Sequence, residues 1–347
     1  MESKVIPEID ESIRSLGATA IRVLYRSTSS RNGASIDVSG MVFIPAGEPP
    51  PTGWPVLAFA HGTTGIDYEC GPSLYPNLLG AAPQIAGFLK AGFAVAAADY
   101  EGLGAPGVHL YLDAKAEAWN VIDSVRALRH LRPGSISERW LVYGGSQGGG
   151  AAWAVAEQAA TYAPDLQLLG AVSVVPAADV SGMAQMAFDG SMNPLQMGAY
   201  IAILTAQSRA HPDLDLDQHR RGSAATNWQA LTSCSRGQER AEALQKVTLE
   251  EVKPASVEAA ARMRELLSRI ALPQQRTQAP LLVIYVGKDE FIETEWTRAA
   301  ITRACAMGSK IEVVFQADKS HGTFDAGMVP EWMARRLAQE PFKGTCE

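Results

Sequence analysis

The stretch LVYGGSQGGG, residues 141–150, joins an apolar run directly to a cluster of glycines around Ser146. It contains the pattern Gly144-x-Ser146-x-Gly148, and an alanine-rich segment of helical character follows it. A sharp strand-to-helix turn would hold the serine in a strained backbone position with its oxygen exposed, and a side chain two residues to either side would collide there. The helix start would also direct free backbone N–H groups at developing negative charge. We therefore predict a nucleophilic serine, against the alternative of a plain glycine-rich turn.

Apolar runs and helical patterns alternate on both sides of this motif. The runs are short and almost continuous, which is typical of strands covered on both faces of a parallel sheet. They lie at residues 56–60, 94–98, 141–143, 171–175, 281–286 and 311–315. Near the N-terminus, segments 21–27 and 36–44 flank Asn32-Gly33 and predict an antiparallel hairpin. The alternation predicts an α/β fold with a mostly parallel central sheet.

One interval interrupts this alternation. From about residue 176 to residue 272 the sequence has several helical patterns and no strand, which is far too long for a plain connection. We interpret it as an inserted helical cap over the C-terminal edge of the sheet. The predicted domains are a core of residues 1–175 and 273–347 and a cap of residues 176–272.

A serine hydroxyl needs a base to take its proton and a third group to orient that base. His321 lies just beyond the last strand-like run, where a loop can reach over the sheet edge. Asp289 ends the preceding run, and Glu290 and Glu293 are close enough to compete with it. The chain order of Ser146, Asp289 and His321 is the one expected when the nucleophile stands on such a turn. The alternatives are an ordinary loop histidine and a solvated loop carboxylate.

Acyl transfer also needs donors for an oxyanion. The backbone N–H of Gln147, next to the serine, is the first predicted donor. The second is expected in the loop after an early central strand, where HGTTG (61–65) consists largely of small residues. We predict Thr63 as this donor, with Gly62 as the alternative. His61 is interpreted as a structural histidine, because His321 already fills the role of the base.

Several stretches carry a family resemblance. They are HGTTG (61–65), CGPS (70–73), DYEGLG (99–104), GGSQGG (144–149) and the segments around Asp289 and His321. Together they resemble the secretory, lipase-A-like branch of the α/β-hydrolases, from about residue 40 to the C-terminus. The resemblance implies an α/β-hydrolase fold and ester hydrolysis by a Ser-His-Asp triad under a helical cap, without a cofactor. One departure is that Gly145 and Gln147 flank the serine where members often carry aromatic, Ala or other small residues.

Six apolar residues crowd the start of the predicted cap. Flexible thioethers among them would form an adaptable wall for acyl chains, which predicts short to medium acyl esters as substrates. The alternative is a helix that packs down on the core, and both roles can apply to different members. The six are Met183, Met186, Phe188, Met192, Met197 and Tyr200.

Composition and pattern argue against several classes of protein. The 30 Lys and Arg residues against 37 Asp and Glu residues give a net charge of −7, which argues against nucleic acid or anionic lipid as the main partner. No apolar run reaches the roughly 18 residues that span a bilayer. No Cys-x-x-Cys or His-Glu-x-x-His pattern indicates a metal site. The predicted partner is a small-molecule or lipid ester; a peptidase or acyltransferase on the same triad, or a non-catalytic binding protein, remains an alternative.

The four cysteines Cys70, Cys234, Cys305 and Cys346 allow three pairings. Pairing Cys70 with Cys234 would tie the cap to the core, and pairing Cys305 with Cys346 would hold the C-terminal tail. The family resemblance suggests export, and an exported or periplasmic protein would gain from both disulfides. The first residues have no signal-peptide pattern. The chain is therefore expected either to follow a removed signal or to be a cytosolic esterase with four reduced thiols.

Overall fold

A computed structural model describes residues 1–235 and 237–346. Its strands are β1 (Glu2–Val5), β2 (Thr19–Thr28), β3 (Ser35–Ile44), β4 (Trp54–Ala60), β5 (Ala94–Ala98), β6 (Ile136–Gly145), β7 (Gln167–Val174), β8 (Leu281–Lys288) and β9 (Ile311–Ser320). They form one sheet in the order β1-β2-β3-β5-β4-β6-β7-β8-β9. Neighbours are antiparallel from β1 to β5 and parallel from β5 to β9.

Some of the helices cover the two faces of the sheet, and others pack in a separate apolar cluster. They are α1 (Glu11–Arg14), α2 (Ala82–Lys90), α3 (Ala114–Leu131), α4 (Gln147–Tyr162), α5 (Met183–Asp189), α6 (Pro194–Ala210), α7 (Gly222–Thr226), α8 (Trp228–Leu231), α9 (Gln238–Leu244), α10 (Val257–Ile270), α11 (Thr294–Ala306) and α12 (Val329–Leu337). Alternate residues of β4 divide between two apolar clusters, because successive strand side chains point to opposite faces. Ala58 shares one cluster with Trp153 of α4. Leu57 shares the other with Ile85 of α2 and Trp332 of α12.

The predicted fold class is confirmed. Five of the six predicted apolar runs lie within one of the strands β4 to β9, and the run at 171–175 extends one residue beyond β7. The predicted hairpin is the antiparallel pair β2 and β3, in which Thr28 faces Ser35. Gly33 takes a φ of +71° in the connecting loop, a conformation that glycine adopts at little cost. The antiparallel part extends further than predicted, since β3 also pairs antiparallel with β5.

The direction of the strands places the predicted functional segments at one edge. Segment 61–65 follows β4, Ser146 follows β6, Asp289 follows β8 and His321 follows β9. These four strands are parallel, so their carboxyl ends open on the same edge, where ligands bind in sheets of this type.

Helices α5 to α10 lie between β7 and β8. They have an apolar cluster of their own, which includes Leu204, Trp228 and Met263 and is joined by Ile66 and Tyr111 from the core. This arrangement supports a helical cap, and its division from the core at residues 176 and 272 remains a prediction.

Both predicted disulfides are present. Cys70 pairs with Cys234 and Cys305 pairs with Cys346, with Cα–Cα distances of 5.3 and 5.2 Å. The first joins the core to the cap, as predicted. Close by, the backbone N–H of Ser235 donates to the carbonyl oxygen of Thr64 at 2.8 Å. The cap is therefore attached to the loop that follows β4.

Replacing Cys70 and Cys234 together by serine is expected to lower the free energy of unfolding by about 2–4 kcal/mol, because the disulfide restricts the unfolded chain. It links residues 164 positions apart, whereas the second disulfide links residues 41 positions apart. The matched double variant Cys305→Ser/Cys346→Ser should therefore lose less stability. Chemical denaturation measures both losses. Four free thiols in the denatured, unreduced protein would contradict the pairing.

Candidate active site

The turn between β6 and α4 sets the position of Ser146. Its backbone angles are φ 60° and ψ −119°, a combination that residues with a side chain rarely adopt. A Cβ on Gly144 would lie 2.0 Å from the carbonyl oxygen of Gly148, and a Cβ on Gly148 would lie 2.0 Å from that of Ala60. Both positions therefore require glycine, because the helix start packs directly against β4. The strained turn leaves the Ser146 side chain only partly buried.

Asp289 and His321 are in direct contact. The Nδ1 atom of His321 lies 2.8 and 3.0 Å from the two carboxylate oxygens of Asp289. The side chain of His321 is 14% exposed and that of Asp289 is 6% exposed. The backbone N–H groups of Phe291 and Ile292 also donate to Asp289, each at 2.9 Å. Four contacts thus hold the carboxylate in place. Because Nδ1 donates to it, Nε2 is the ring nitrogen available to accept a proton.

The two neighbouring glutamates contact other groups. Glu290 accepts a hydrogen bond from the backbone N–H of His321 at 3.1 Å, not from its ring. Glu293 accepts one from the side chain of Gln196 at 2.9 Å, which joins α6 to the loop after β8. Of the three carboxylates weighed as the acid, Asp289 is the one that the structure places against the imidazole.

Ser146 and His321 line the same cavity, which has a volume of ≈ 520 Å³. Among the described residues, no hydrogen bond joins the Ser146 hydroxyl to the His321 ring. Such bonds are often long in unliganded sites and shorten when substrate binds. The structure therefore places the Asp289 carboxylate against the His321 imidazole. Ser146 and His321 lie on the same cavity.

The loop at residues 61–65 lies beside the serine. A Cβ on Gly62 would lie 3.4 Å from the carbonyl oxygen of Gly145 and 3.9 Å from the Cβ of Ser146. Gly62 and Thr63 both line the cavity. The Thr63 hydroxyl is hydrogen-bonded at 2.9 Å to the hydroxyl of Tyr111. The loop is thus close to Ser146, and the backbone N–H groups of Thr63 and Gly62 remain the predicted second oxyanion donor and its alternative.

Gln147 combines a backbone group and a side chain at this site. It is the first residue of α4, so its backbone N–H has no partner within the helix. Its side chain is buried, and its Nε2 donates to Glu117 at 2.7 Å and lies 3.1 Å from Nε2 of His109. Burial raises the pKa of Glu117 well above its ordinary value, which favours the neutral carboxyl over the carboxylate.

The histidine in this network is also neutral. Burial lowers the pKa of His109 to about 3. Its Nδ1 donates to the carbonyl oxygen of Glu101 at 3.0 Å, so its Nε2 is free to accept from Gln147. No sequence pattern predicts this network, because Glu117 and His109 belong to no motif.

Residues of the DYEGLG motif contact the loop after β4. Asp99 is buried, and its carboxylate accepts from the hydroxyls of Ser39 and Ser73 at 2.6 and 2.5 Å. The Tyr100 hydroxyl donates to the carbonyl oxygen of His61 at 2.9 Å, and its ring lies 4.3 Å from the imidazole. Burial lowers the pKa of His61, which disfavours its charged form. His61 is thus held by the backbone and by an aromatic neighbour, in agreement with the structural interpretation.

The cap wall of the cavity differs from the predicted one. Of the six apolar residues predicted as substrate-binding, Met183 lies on the wall, whereas Met186, Phe188, Met192, Met197 and Tyr200 do not. Met192, Met197 and Tyr200 are buried in the apolar cluster of the cap, Met186 packs against it, and Phe188 is half-buried on α5. The cap wall comes mainly from one face of α6, with Leu195, Gly198, Ala199, Ala202 and Ile203 at helical spacing.

The described residues lack two kinds of feature. Within residues 1–235 and 237–346, no group of three or more His, Cys, Asp or Glu side chains could hold a metal ion. In the same residues, no helix has the length and apolar character needed to cross a membrane.

Gly148→Ala is expected to destabilise the protein by about 1–3 kcal/mol or more, because the added methyl group would meet backbone that must then move. The matched control is Gly87→Ala in α2, where an added Cβ meets no atom within 4 Å. This control should gain about 0.5–1 kcal/mol from helix propensity. Thermal or chemical denaturation compares the two variants. Equal stabilities would show that the close approach of α4 to β4 is absent.

The fold is shared with solved lipase and esterase structures. Candida antarctica lipase A in its closed state superposes with a TM-score of 0.79 at 17% identity, covering 100% of this chain and 83% of that chain. The rice cell wall degrading esterase LipA from Xanthomonas oryzae gives a TM-score of 0.71 at 18% identity, covering 99% and 97%. At these identities the likeness establishes the α/β-hydrolase fold.

Sequence comparison adds a relative and a family. A probable inactive lipase of Mycobacterium tuberculosis (strain CDC 1551 / Oshkosh) is 31% identical over 174 residues, which are 47% of this chain and 38% of that protein. The sequence profile of secretory lipases matches residues 82–344. That segment is most of the chain and contains Ser146, Asp289 and His321. The chain therefore belongs to the secretory lipase family.

Proposed function

We propose that this protein is a carboxylic ester hydrolase in which Ser146, His321 and Asp289 act as a catalytic triad. The observation that carries the proposal is the shared cavity: Ser146, on its strained turn, and His321, held by Asp289, both line it. Family and fold support ester hydrolysis as the reaction.

In the proposed reaction, the Ser146 hydroxyl attacks the ester carbonyl carbon and His321 Nε2 takes the hydroxyl proton. Asp289 keeps the ring oriented and stabilises the imidazolium that forms. The proton then passes to the departing alkoxide, so that an alcohol leaves and an acyl-serine remains. Water, activated by the same imidazole, hydrolyses the acyl-serine and restores the free hydroxyl.

The negative charge that develops on the carbonyl oxygen needs fixed donors. The backbone N–H of Gln147 is the first, since it begins α4 beside the serine. The second is the backbone N–H of Thr63, with Gly62 as the alternative. Because Gln147 is held through its side chain by Glu117 and His109, the first donor is also fixed in position.

The cavity favours short to medium acyl chains. Its volume of ≈ 520 Å³ lies within the range of small-ligand sites. Leu195, Ala199 and Ile203 of α6 give it an apolar wall. The family and the two disulfides suggest that the reaction takes place outside the cell or in the periplasm.

Ser146→Ala is expected to reduce kcat for 4-nitrophenyl esters by about 10⁶-fold, as when the serine nucleophile of a triad is removed. Asp289→Asn should lose about 10⁴-fold, because the imidazole would adopt the wrong tautomer. The control Ser191→Ala changes an exposed cap serine outside the cavity wall and should leave kcat as it is. A Glu290→Gln loss larger than that of Asp289→Asn would reject Asp289 as the acid.

The same assay tests the acyl chain length. A series of 4-nitrophenyl esters from acetate to palmitate should give its highest kcat/KM among short and medium chains. Labelling by a serine-directed phosphonate should disappear in Ser146→Ala and persist in Ser191→Ala. Activity that rises with chain length into emulsions and jumps at the interface would instead indicate a true lipase. Absence of both turnover and labelling would indicate a binding protein.

Glu117→Gln is expected to keep kcat within about threefold of the parent at pH 7. The raised pKa favours the neutral carboxyl, which an amide resembles, and an amide can still accept from Gln147. Glu117→Leu removes that acceptor and should lower kcat by about ten- to a hundredfold, the effect of losing one buried hydrogen bond to a positioned group. Steady-state kinetics with folded variants measures both effects. Equal losses in the two variants would show that the carboxylate charge matters.

A further inference from the structure

Arg240 gives the cavity a charge that the proposed reaction does not use. Among the described residues that line the cavity, it is the only one with a permanently charged side chain. It lies on α9 of the cap, and its side chain reaches the wall that also contains Gly198 and Tyr111. No described aspartate or glutamate lines the cavity with it.

The contacts of Arg240 leave much of the guanidinium unused. Its Nε donates to the carbonyl oxygen of Leu231 at 3.0 Å, and its Nη2 donates to that of Gly198 at 2.8 Å. A guanidinium has five N–H donors, so three have no acceptor among the described residues. Both acceptors are neutral carbonyls. The two bonds therefore fix the orientation of the group, and its charge has no ion-pair partner within the described part of the chain.

The surroundings of Arg240 do not neutralise it. Burial lowers its pKa, and among the residues that the structure describes the hydroxyl of Tyr111 opposes this lowering. That hydroxyl is itself neutral near pH 7, because burial raises the pKa of Tyr111 to about 12. An arginine stays protonated in proteins, so the positive charge persists. A half-buried charge without a partner is unfavourable, and an anion that enters the cavity would relieve this.

We propose that Arg240 binds an ionised carboxylate of the substrate, so that the preferred substrates are esters that carry a second, free carboxyl group. A guanidinium matches a carboxylate through two parallel N–H···O bonds, and Arg240 has three donors left for them. Tyr111 joins this site to the reaction centre, because its hydroxyl is bonded to Thr63 of the predicted oxyanion loop. As a statement about turnover, the inference rests on the proposed function.

The kinetic test compares matched anionic and neutral esters. Mono-4-nitrophenyl adipate against 4-nitrophenyl hexanoate places the carboxylate on the acyl side. The acetate ester of 4-hydroxybenzoate against phenyl acetate places it on the alcohol side. We expect the parent protein to favour the anionic ester of at least one pair by about ten- to a hundredfold in kcat/KM, the range of one charge-assisted hydrogen bond. The pair that shows the preference identifies the side.

Variants assign the preference to Arg240. Arg240→Gln should bring the ratio of anionic to neutral kcat/KM close to one, and Arg240→Lys should retain part of it. Arg264→Gln removes the same charge from an exposed position on α10 of the cap and should leave the ratio unchanged. A parent protein without preference in either pair overturns the proposal, even if Arg240→Gln fails to fold. An equal decrease of this ratio in Arg264→Gln and Arg240→Gln would also overturn the proposal, because it would indicate long-range electrostatics.

A binding measurement separates this inference from the proposed function. Calorimetry with the Ser146→Ala protein compares mono-4-nitrophenyl adipate with 4-nitrophenyl hexanoate, and repeats the comparison in Ser146→Ala/Arg240→Gln. Tighter binding of the adipate that depends on Arg240 supports the carboxylate site even if the parent protein hydrolyses no ester. Turnover of neutral esters with no such binding difference supports the hydrolase and rejects the carboxylate site.

Discussion

The contact between the first turn of α4 and the end of β4 constrains everything built at this edge of the sheet. Gly148 approaches the carbonyl oxygens of Ala60 and His61 so closely that an added Cβ would lie 2.0 and 2.7 Å from them. Since the helix begins against the sheet, Ser146 has to take a positive φ to connect β6 to it. Gln147 then opens the helix beside the loop that follows β4. The proposed nucleophile and both predicted oxyanion donors thus depend on one close approach of backbone to backbone.

The cap is tied to the same loop. The disulfide between Cys70 and Cys234 and the backbone bond from Ser235 to Thr64 attach the cap just before α9. An ion pair of 2.7 Å between Arg209 and Asp67 adds a third link nearby. Any opening of the cap has to leave this attachment in place. The α9 segment that carries Arg240 is therefore positioned relative to the 61–65 loop by covalent linkage as well as by packing.

The sheet and the Asp289–His321 pair could be predicted because their signals are local. Continuous apolar runs mark strands buried on both faces, and polar residues that end parallel strands meet at one edge. The cavity wall could not be predicted, because apolar residues are distributed around α6 and the sequence does not distinguish the side that faces the cavity. Tyr200 is buried in the apolar cluster of the cap, whereas its neighbour Ala199 lines the cavity. Strand β1 was missed because all four of its residues are exposed.

The buried groups around the cavity differ in how they can lose their charge. Burial favours the neutral, protonated form of Glu117 and the neutral, deprotonated form of His109, and both residues lie within hydrogen-bonding distance of Nε2 of Gln147. Arg240 has no such route, because a guanidinium does not release its proton in a protein. No aspartate or glutamate among the described cavity residues balances its charge, which leaves that role to an anion that enters the cavity. Burial thus favours a neutral form of Glu117, which holds Gln147 in place. It leaves Arg240 charged, and we propose that this charge selects among substrates.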